Sequence, residues 1–357
     1  MKKWMYDSVL EAPTNCQEIF DHNKELTEGL VKAYCKKDYS GIVIAASGSS
    51  YNIACCAKYA MEEILDTSVE VIYAVTYAEY AYKHHKNKFV ICTSQGGRST
   101  NTLAAYNRAK ECGNDVAAVI SESGTPMQKI CKDTFLFGNE KAGKDVFVCR
   151  GLPTSILFFD LFTINAAFNK KKITEEQKNE YLAELKKVID KMNDVRELSD
   201  AYYEAHKQEF YKMERIMVTG IGSGQGVAQE GALKLEETAG FPSNWYEMEE
   251  FLHGPVYEIK KNHSIFIVDM DEKHHDRAVE ISEALHQLTD HVYVISKFNM
   301  NSADAMQIDL DVNSMFLPIL FVIPFQVFAS RICDDTRASG ITIYTYRFMQ
   351  QMATKAK

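Results

Sequence analysis

Two hydroxyl-rich loops carry the residue types with the clearest chemistry. The run Thr93 to Thr102, TSQGGRSTNT, offers five hydroxyl side chains, the amide of Gln95 and the adjacent glycines Gly96 and Gly97. Phe89 to Cys92 before it is a continuous apolar run, as a strand buried on both faces requires. Leu103, Ala104, Ala105, Tyr106 and Ala109 after it have helical spacing. A strand that turns through Ser and Gly into a helix points several backbone N–H groups at one spot, beside the positive end of the helix dipole. That spot suits a phosphate monoester, whose shell hydroxyl donors complete without neutralising the dianion. An N-cap serine on an ordinary loop is the plainer alternative. The unit recurs earlier: strand Gly41–Ala46, loop Ser47-Gly48-Ser49-Ser50, helix Tyr51–Ile64. Two such loops on neighbouring parallel strands face each other at the carboxyl edge of the sheet, where open α/β folds bind ligands.

The elements that must position these loops follow from the same patterning. Residues 1 to 40 are charged and helical in spacing. Val69–Val75, Val116–Ser121 and Thr134–Phe137 read as further strands, with a helix over Pro126–Cys131 between the last two. Gly143 to Pro153 leads into an apolar helix through Ala167. Residues 169 to 213 are lysine- and glutamate-rich without glycine or proline, and predict one or two solvated helices. The second half repeats the plan, with strand Ile216–Thr219, glycine-rich loop Gly220–Gly226, helix Val227–Thr238, strands Ser264–Asp269 and His291–Ser296, and a helix around Arg277–Leu288. The expected fold is therefore α/β, two doubly wound, mainly parallel sheets flanked by helices and related by duplication. The expected domains are 1–168, a helical linker 169–213, 214–340, and a tail 341–357.

Composition narrows the function classes. A chain of 357 residues accommodates two cores, and 46% hydrophobic with 25% charged residues is globular. The net charge of −9 argues against a general nucleic-acid or membrane surface while allowing a local anion site. No apolar run reaches the roughly 18 residues of a membrane span; Met315–Ala329 carries Pro318, Pro324 and Gln326. The N-terminus shows no apolar signal core. Nine scattered cysteines without a C-x-x-C pair predict unpaired thiols, a cytoplasmic location and no metal. His84-His85 and His274-His275 are expected on solvated surface. Neither loop reads G-x-G-x-x-G or carries a P-loop lysine, so no nucleotide cofactor is expected.

Four motifs, S-G-S-S-Y-N at 47–52, T-S-Q-G-G at 93–97, E-G-A-L-K-L-E-E at 230–237 and E-E-F-L-H-G-P at 249–255, resemble those of tandem SIS (sugar isomerase) proteins over roughly residues 40 to 330. The similarity is to the isomerase half of glutamine–fructose-6-phosphate amidotransferase and to related phosphosugar isomerases and deglycases. The resemblance places Ser49, Ser50, Ser94, Gln95 and Ser99, with Gly48 and Gly96 in the same loops, at phosphate- and hydroxyl-binding positions. It places Lys234 and Glu237 on the helix of the catalytic lysine and glutamate. Residues three apart share a helix face, and a shielded carboxylate beside an ammonium can move a proton between C1 and C2 of an open-chain sugar. A surface ion pair is the plainer alternative. His253 falls on the histidine linked to ring opening, which in the family reaches the neighbouring subunit's site and so implies a homodimer with shared sites.

Departures from the family pattern set the remaining expectations. Where a Ser-Thr-Lys run is frequent, this chain reads Cys149-Arg150-Gly151-Leu152-Pro153, and Arg150 stands for the lysine as a charge. Gly96 replaces a frequent serine and Arg98 a frequent glutamate; a guanidinium there suits phosphate or a substrate carboxylate. The tail offers Lys355 or Lys357 for the family's active-site lysine. No glutaminase domain precedes the fold and residue 2 is lysine, so glutamine-dependent amidotransfer by this chain alone is not expected. No helix-turn-helix is appended. The first expectation is isomerisation or deamination of an amino-sugar 6-phosphate. The alternatives are a fructosamine-6-phosphate deglycase and a phosphosugar-binding module without turnover.

Overall fold

The computed structural model describes residues 4–137, 147–337 and 339–356, and the chain forms two compact units. One comprises Glu11–Ile189 and Arg347–Lys357. After α1 (Trp4–Asp21) and α2 (Asn23–Tyr34) come β1 (Ile42–Ala46), α3 (Ser49–Leu65), β2 (Val69–Tyr73), a single turn α4 (Ala74–Thr76) and β3 (Phe89–Thr93). Then follow α5 (Thr100–Glu111), β4 (Val116–Ile120), α6 (Pro126–Ile130), β5 (Thr134–Leu136), α7 (Gly151–Asn169) and α8 (Glu175–Phe210). The strands pair in parallel in the order β2-β1-β3-β4-β5. Every residue of β1, β3 and β4 is buried, which is why those segments read as unbroken apolar runs. The chain lays β2 on one side of β1 and β3 on the other, so the loops after β1 and β3 part and leave a crevice at the carboxyl edge. Of the described helices, α7 alone is long and apolar enough to cross a membrane, and nearly all of it is buried in this fold.

The other unit comprises Met1–Leu10 and Asp190–Tyr346. Its elements are the part of α8 from Asp190 on, β6 (Arg215–Gly220), α9 (Ser223–Lys234), β7 (Ser243–Glu247), β8 (His263–Asp269), α10 (His275–Leu285), β9 (Val292–Ser296), β10 (Ala305–Gln307), α11 (Pro318–Thr336) and the start of α12 (Ile343–Gln351), whose residues from Arg347 on belong to the first unit. The sheet order β7-β6-β8-β9-β10 is that of the first sheet, strand for strand. Even the strand-to-helix turns match. Gly48 has φ 58°, ψ −139° and Gly222 has φ 57°, ψ −130°, a backbone setting that a side chain would strain.

Several elements differ from the sequence expectation. β2 stops at Tyr73, where the chain turns helical, instead of running to Val75. α9 starts at Ser223, four residues earlier than its apolar pattern suggests, because glycine-rich Gly222–Gly226 enters the helix directly. Residues 169–213 hold one helix, α8, solvated on one face only: Leu185, Val188, Met192, Val195 and Tyr203 are buried. The His pairs are not simply solvated. His85 is buried and bonded to Glu70 Oε2 at 2.9 Å, and His275 Nδ1 lies 2.7 Å from the buried Asp269. A neighbouring carboxylate in the fold, which periodicity does not register, draws each ring inward. Residues 143–146 of the segment leading into α7 lie outside the described residues.

Candidate active site

The crevice of the first sheet is assembled from the ends of β1 and β3 and the start of α7. Ser49 and Ser94 are buried there, Ser50 and Gly96 are partly exposed and Gly48 is exposed. Gln95 N donates to Ser50 Oγ at 3.4 Å, which joins the two loops. The Gln95 carbonyl is fixed from below by Ser121, whose N (2.9 Å) and Oγ (2.8 Å) both donate to it. The Gln95 side chain lies against Gly151 at the head of α7, where an added Cβ would overlap Nε2. Although only 7% of the residue is exposed, neither Nε2 nor Oε1 has a hydrogen-bond partner among the described residues. A buried amide with both ends unpaired costs free energy unless something else occupies it. Ser99 is the N-cap of α5: its Oγ accepts from Thr102 N at 3.2 Å and from Thr102 Oγ1 at 2.9 Å. Gly97, at φ 57°, presses so closely on Thr125 that no side chain fits.

Two basic candidates border this crevice differently. Arg150, at the N-cap of α7 and nearly buried, pairs with Glu11. Arg98 is 44% exposed at its side chain and lies 3.8 Å from Glu122. The tail reaches the same loop. Thr354 O accepts from Thr100 N at 3.2 Å and Oγ1 at 3.1 Å, Ala356 N donates to Arg98 O at 2.7 Å, and Lys355 pairs with Ser99 as an antiparallel bridge. The Lys355 side chain is exposed; Lys357 lies outside the described residues.

In the other unit, α9 runs on into a wider, π-type turn over Leu235–Ala239 that carries Glu237, a local irregularity often found where a helix bears function. Lys234 is fully buried and paired with both Glu237 and Glu230, the latter at 2.8 Å. Burial pushes the Glu237 carboxyl above the usual range; Lys234 opposes that shift and the Glu230 charge adds to it. The outer side of the turn is closed by Gly340, whose N donates to Thr238 O at 3.0 Å and whose Cα leaves no room for a Cβ beside Glu237 O. His253 ends a short 3₁₀ turn, Glu250–His253, and is exposed, as is Glu250. That turn is capped by Glu247, which accepts from Glu249 N (2.8 Å) and Glu250 N (2.9 Å); Glu249 is gripped by Arg277 at 2.8 and 3.1 Å. Sequence reasoning missed Glu230 and Ser121. The i to i+4 spacing of Glu230 and Lys234 was a signal for the first. Nothing local marked the second, which acts from the next strand. Among the described residues no three His, Cys, Asp or Glu side chains gather as a metal would need.

Two parallel sheets of matching strand order, each turning through glycine into a helix at the switch point, define a duplicated, doubly wound α/β protein. A family model described as SIS domain matches residues 37–164 and 209–331, and the chain belongs to the SIS family. It is 26% identical over 339 residues to glutamine–fructose-6-phosphate aminotransferase [isomerizing] of Chlorobaculum tepidum, covering 91% of this chain and 54% of that protein. The chain thus spans about half the length of such relatives. The crystal structure of a candidate phosphosugar isomerase from Clostridium difficile 630 is 25% identical, with a TM-score of 0.87 over 98% of this chain and 97% of its own. Glucosamine-6-phosphate deaminase of Thermotoga maritima, at 18% identity, shares the fold with a TM-score of 0.71 over 93% and 96%.

Proposed function

We propose that the protein is an enzyme that binds a hexose 6-phosphate bearing an amine and isomerises or deaminates it. Ser94 and Ser99, with Ser49 and Ser50, hold the phosphate and sugar hydroxyls; Glu237 moves the proton between C1 and C2. The unpaired, buried amide of Gln95 carries the reading, because it is a donor and an acceptor held ready for a ligand that presents both. The raised Glu237 carboxyl supports its role: a base works best with a proton affinity near the working pH. The aminotransferase and deaminase names of similar proteins agree with an amino-sugar phosphate. Solvent-deuterium exchange into a panel of hexose 6-phosphates tests the proposal. Exchange at C1 or C2 is expected with the parent protein and should vanish in Glu237→Gln while binding persists. Full exchange in that variant would remove Glu237 as base. Binding without exchange in the parent would make the protein a phosphosugar-binding module.

A second reading, cleavage of a fructosamine 6-phosphate into sugar phosphate and amino acid, is favoured by Arg98. Its exposed, loosely held guanidinium stands beside the loop, where a substrate carboxylate would meet it. Release of free amino acid from glycated amino acid phosphates would select this reaction over the first. Arg98→Ala should then weaken only substrates that carry the carboxylate.

A further inference from the structure

A carboxylate stands among the donors of the first crevice. Serine hydroxyls, backbone N–H groups and the start of α5 make that crevice a place for an anion, and Glu122 breaks the pattern. It follows Ser121, which holds the Gln95 carbonyl, so one fixed stretch of backbone after β4 seats Gln95 and places Glu122. Glu122 Oε2 lies 3.9 Å from the point where a Cβ on Gly96 would stand, and Gly96 sits between Gln95 and Gly97 in the loop after β3. With glycine there, no side chain separates the carboxylate from that loop. Among the described residues its ion-pair partner is Arg98, whose Nη2 stands off at 3.8 Å; 25% of the Glu122 side chain and 44% of the Arg98 side chain are exposed. We infer that Glu122 is a specificity-determining residue that recognises the substrate's amine as its ammonium, with Arg98 the counter-ion in the free protein. The inference rests on the reading of the crevice as the site of an amine-bearing hexose 6-phosphate.

A phosphate dianion and Glu122 repel one another, and a partly dry crevice screens them less than water does. A plain hexose 6-phosphate therefore meets Glu122 as a penalty. An amino-sugar phosphate brings its own cation, and its ammonium takes the place of Arg98 at the carboxylate. Arg98 gives way easily: at 3.8 Å it makes no hydrogen bond to Glu122, and an exposed pair of that length contributes little. The ammonium is compact and carries three donors, so it reaches hydrogen-bond distance where the guanidinium does not. Binding thus exchanges a loose pair for a close one. Discrimination comes from repulsion of the hydroxyl analogue as much as from attraction of the amine.

Calorimetry at neutral pH tests this with sugars in pairs that differ only in an ammonium for a hydroxyl at C2. The pairs are glucosamine 6-phosphate with glucose 6-phosphate, and galactosamine 6-phosphate with galactose 6-phosphate. In the better-binding pair the parent protein should hold the amino sugar about tenfold tighter or more. Glu122→Gln keeps the shape and removes the charge. It should weaken the amino sugar while leaving the hydroxyl sugar unchanged or tighter, so the ratio falls towards one. Glu122→Asp keeps the charge and should keep the preference for the amine. Inorganic phosphate, the third probe, should bind Glu122→Gln no more weakly than the parent. A merely structural role for Glu122 would weaken both sugars together, and that outcome overturns the inference. A ratio unmoved in Glu122→Gln, or a parent that holds both sugars of a pair equally, also overturns it. In either case hydrogen exchange on the amino sugar still decides the proposed function. A parent that binds none of the four sugars refutes both.

Discussion

Gln95 concentrates what single residues contribute to binding. Its backbone is pinned by Ser50 on one side and Ser121 on the other, and its side chain is held over Gly151, so the amide has a fixed direction before any ligand arrives. A preorganised polar group loses little on binding. Gln95→Ala should therefore weaken the best-binding hexose 6-phosphate of the panel by about 1–3 kcal/mol, roughly 5- to 150-fold, for two neutral hydrogen bonds. Because the described residues offer the amide no partner, the free variant should lose no comparable thermal stability. Calorimetry and a melting curve check both halves; unchanged affinity would put the sugar elsewhere. The hydroxyls and Gln95 were legible in the sequence because a Ser/Gly turn between a buried strand and a helix has few uses. The unpaired state of the amide was not, since it depends on what three separate segments leave vacant around it. Lys234 was legible as a partner of Glu237 but not as a buried one. Spacing along a helix gives a shared face and says nothing of which way that face looks.

At the scale of elements, α7 shows how a buried helix hides its polar members. Its sequence is apolar all round, and it is buried nearly throughout, yet Asp160 sits in its middle at 0% exposure with neither oxygen hydrogen-bonded among the described residues. Burial pushes this carboxyl well above the usual range, which favours its neutral form in the fold. With the folded affinity above the unfolded one, the contribution to stability is complete below the unfolded value of about 3.9 and is lost as pH rises toward the folded value. The slope is at most about 1.4 kcal/mol per pH unit. Asp160→Asn does not titrate, so its stability relative to the parent should grow as pH rises above the unfolded value, until the folded carboxyl ionises. Urea unfolding at pH 5, 6 and 7 measures this, and a pH-independent difference would contradict a neutral Asp160. The central strands of both sheets were legible for the reason that hid Asp160: complete burial leaves a continuous apolar run. The edge strands β7 and β10 were not, because Ser243–Glu247 is mostly polar, half-open edge and Ala305–Gln307 spans three residues.

For the whole molecule, the exposed position of His253 is the feature to explain. The turn that bears it is rigidly built, with Glu247 capping its amide groups and Arg277 gripping Glu249, yet the imidazole at its end faces outward. Such effort spent on an outward residue suits one that serves a second copy, as the family resemblance implies, and the active unit would then be a homodimer with shared sites. A shared site makes a demand that a self-contained one does not: two inactive variants can rebuild one good site between them. Glu237→Gln retains its histidine and His253→Ala retains its glutamate. In their heterodimer one site pairs the intact glutamate with the partner's intact histidine, and the other site has neither. Random re-pairing makes half the dimers heterodimers, each with one working site of two, so about a quarter of parent exchange activity should return. If His253 acts within its own chain, every site lacks one group and nothing returns. Tagging one variant and recovering the other with it establishes that subunits exchanged. Activity near zero in heterodimers verified in this way rejects the shared site, and a monomer that keeps full activity at every dilution rejects the dimer itself.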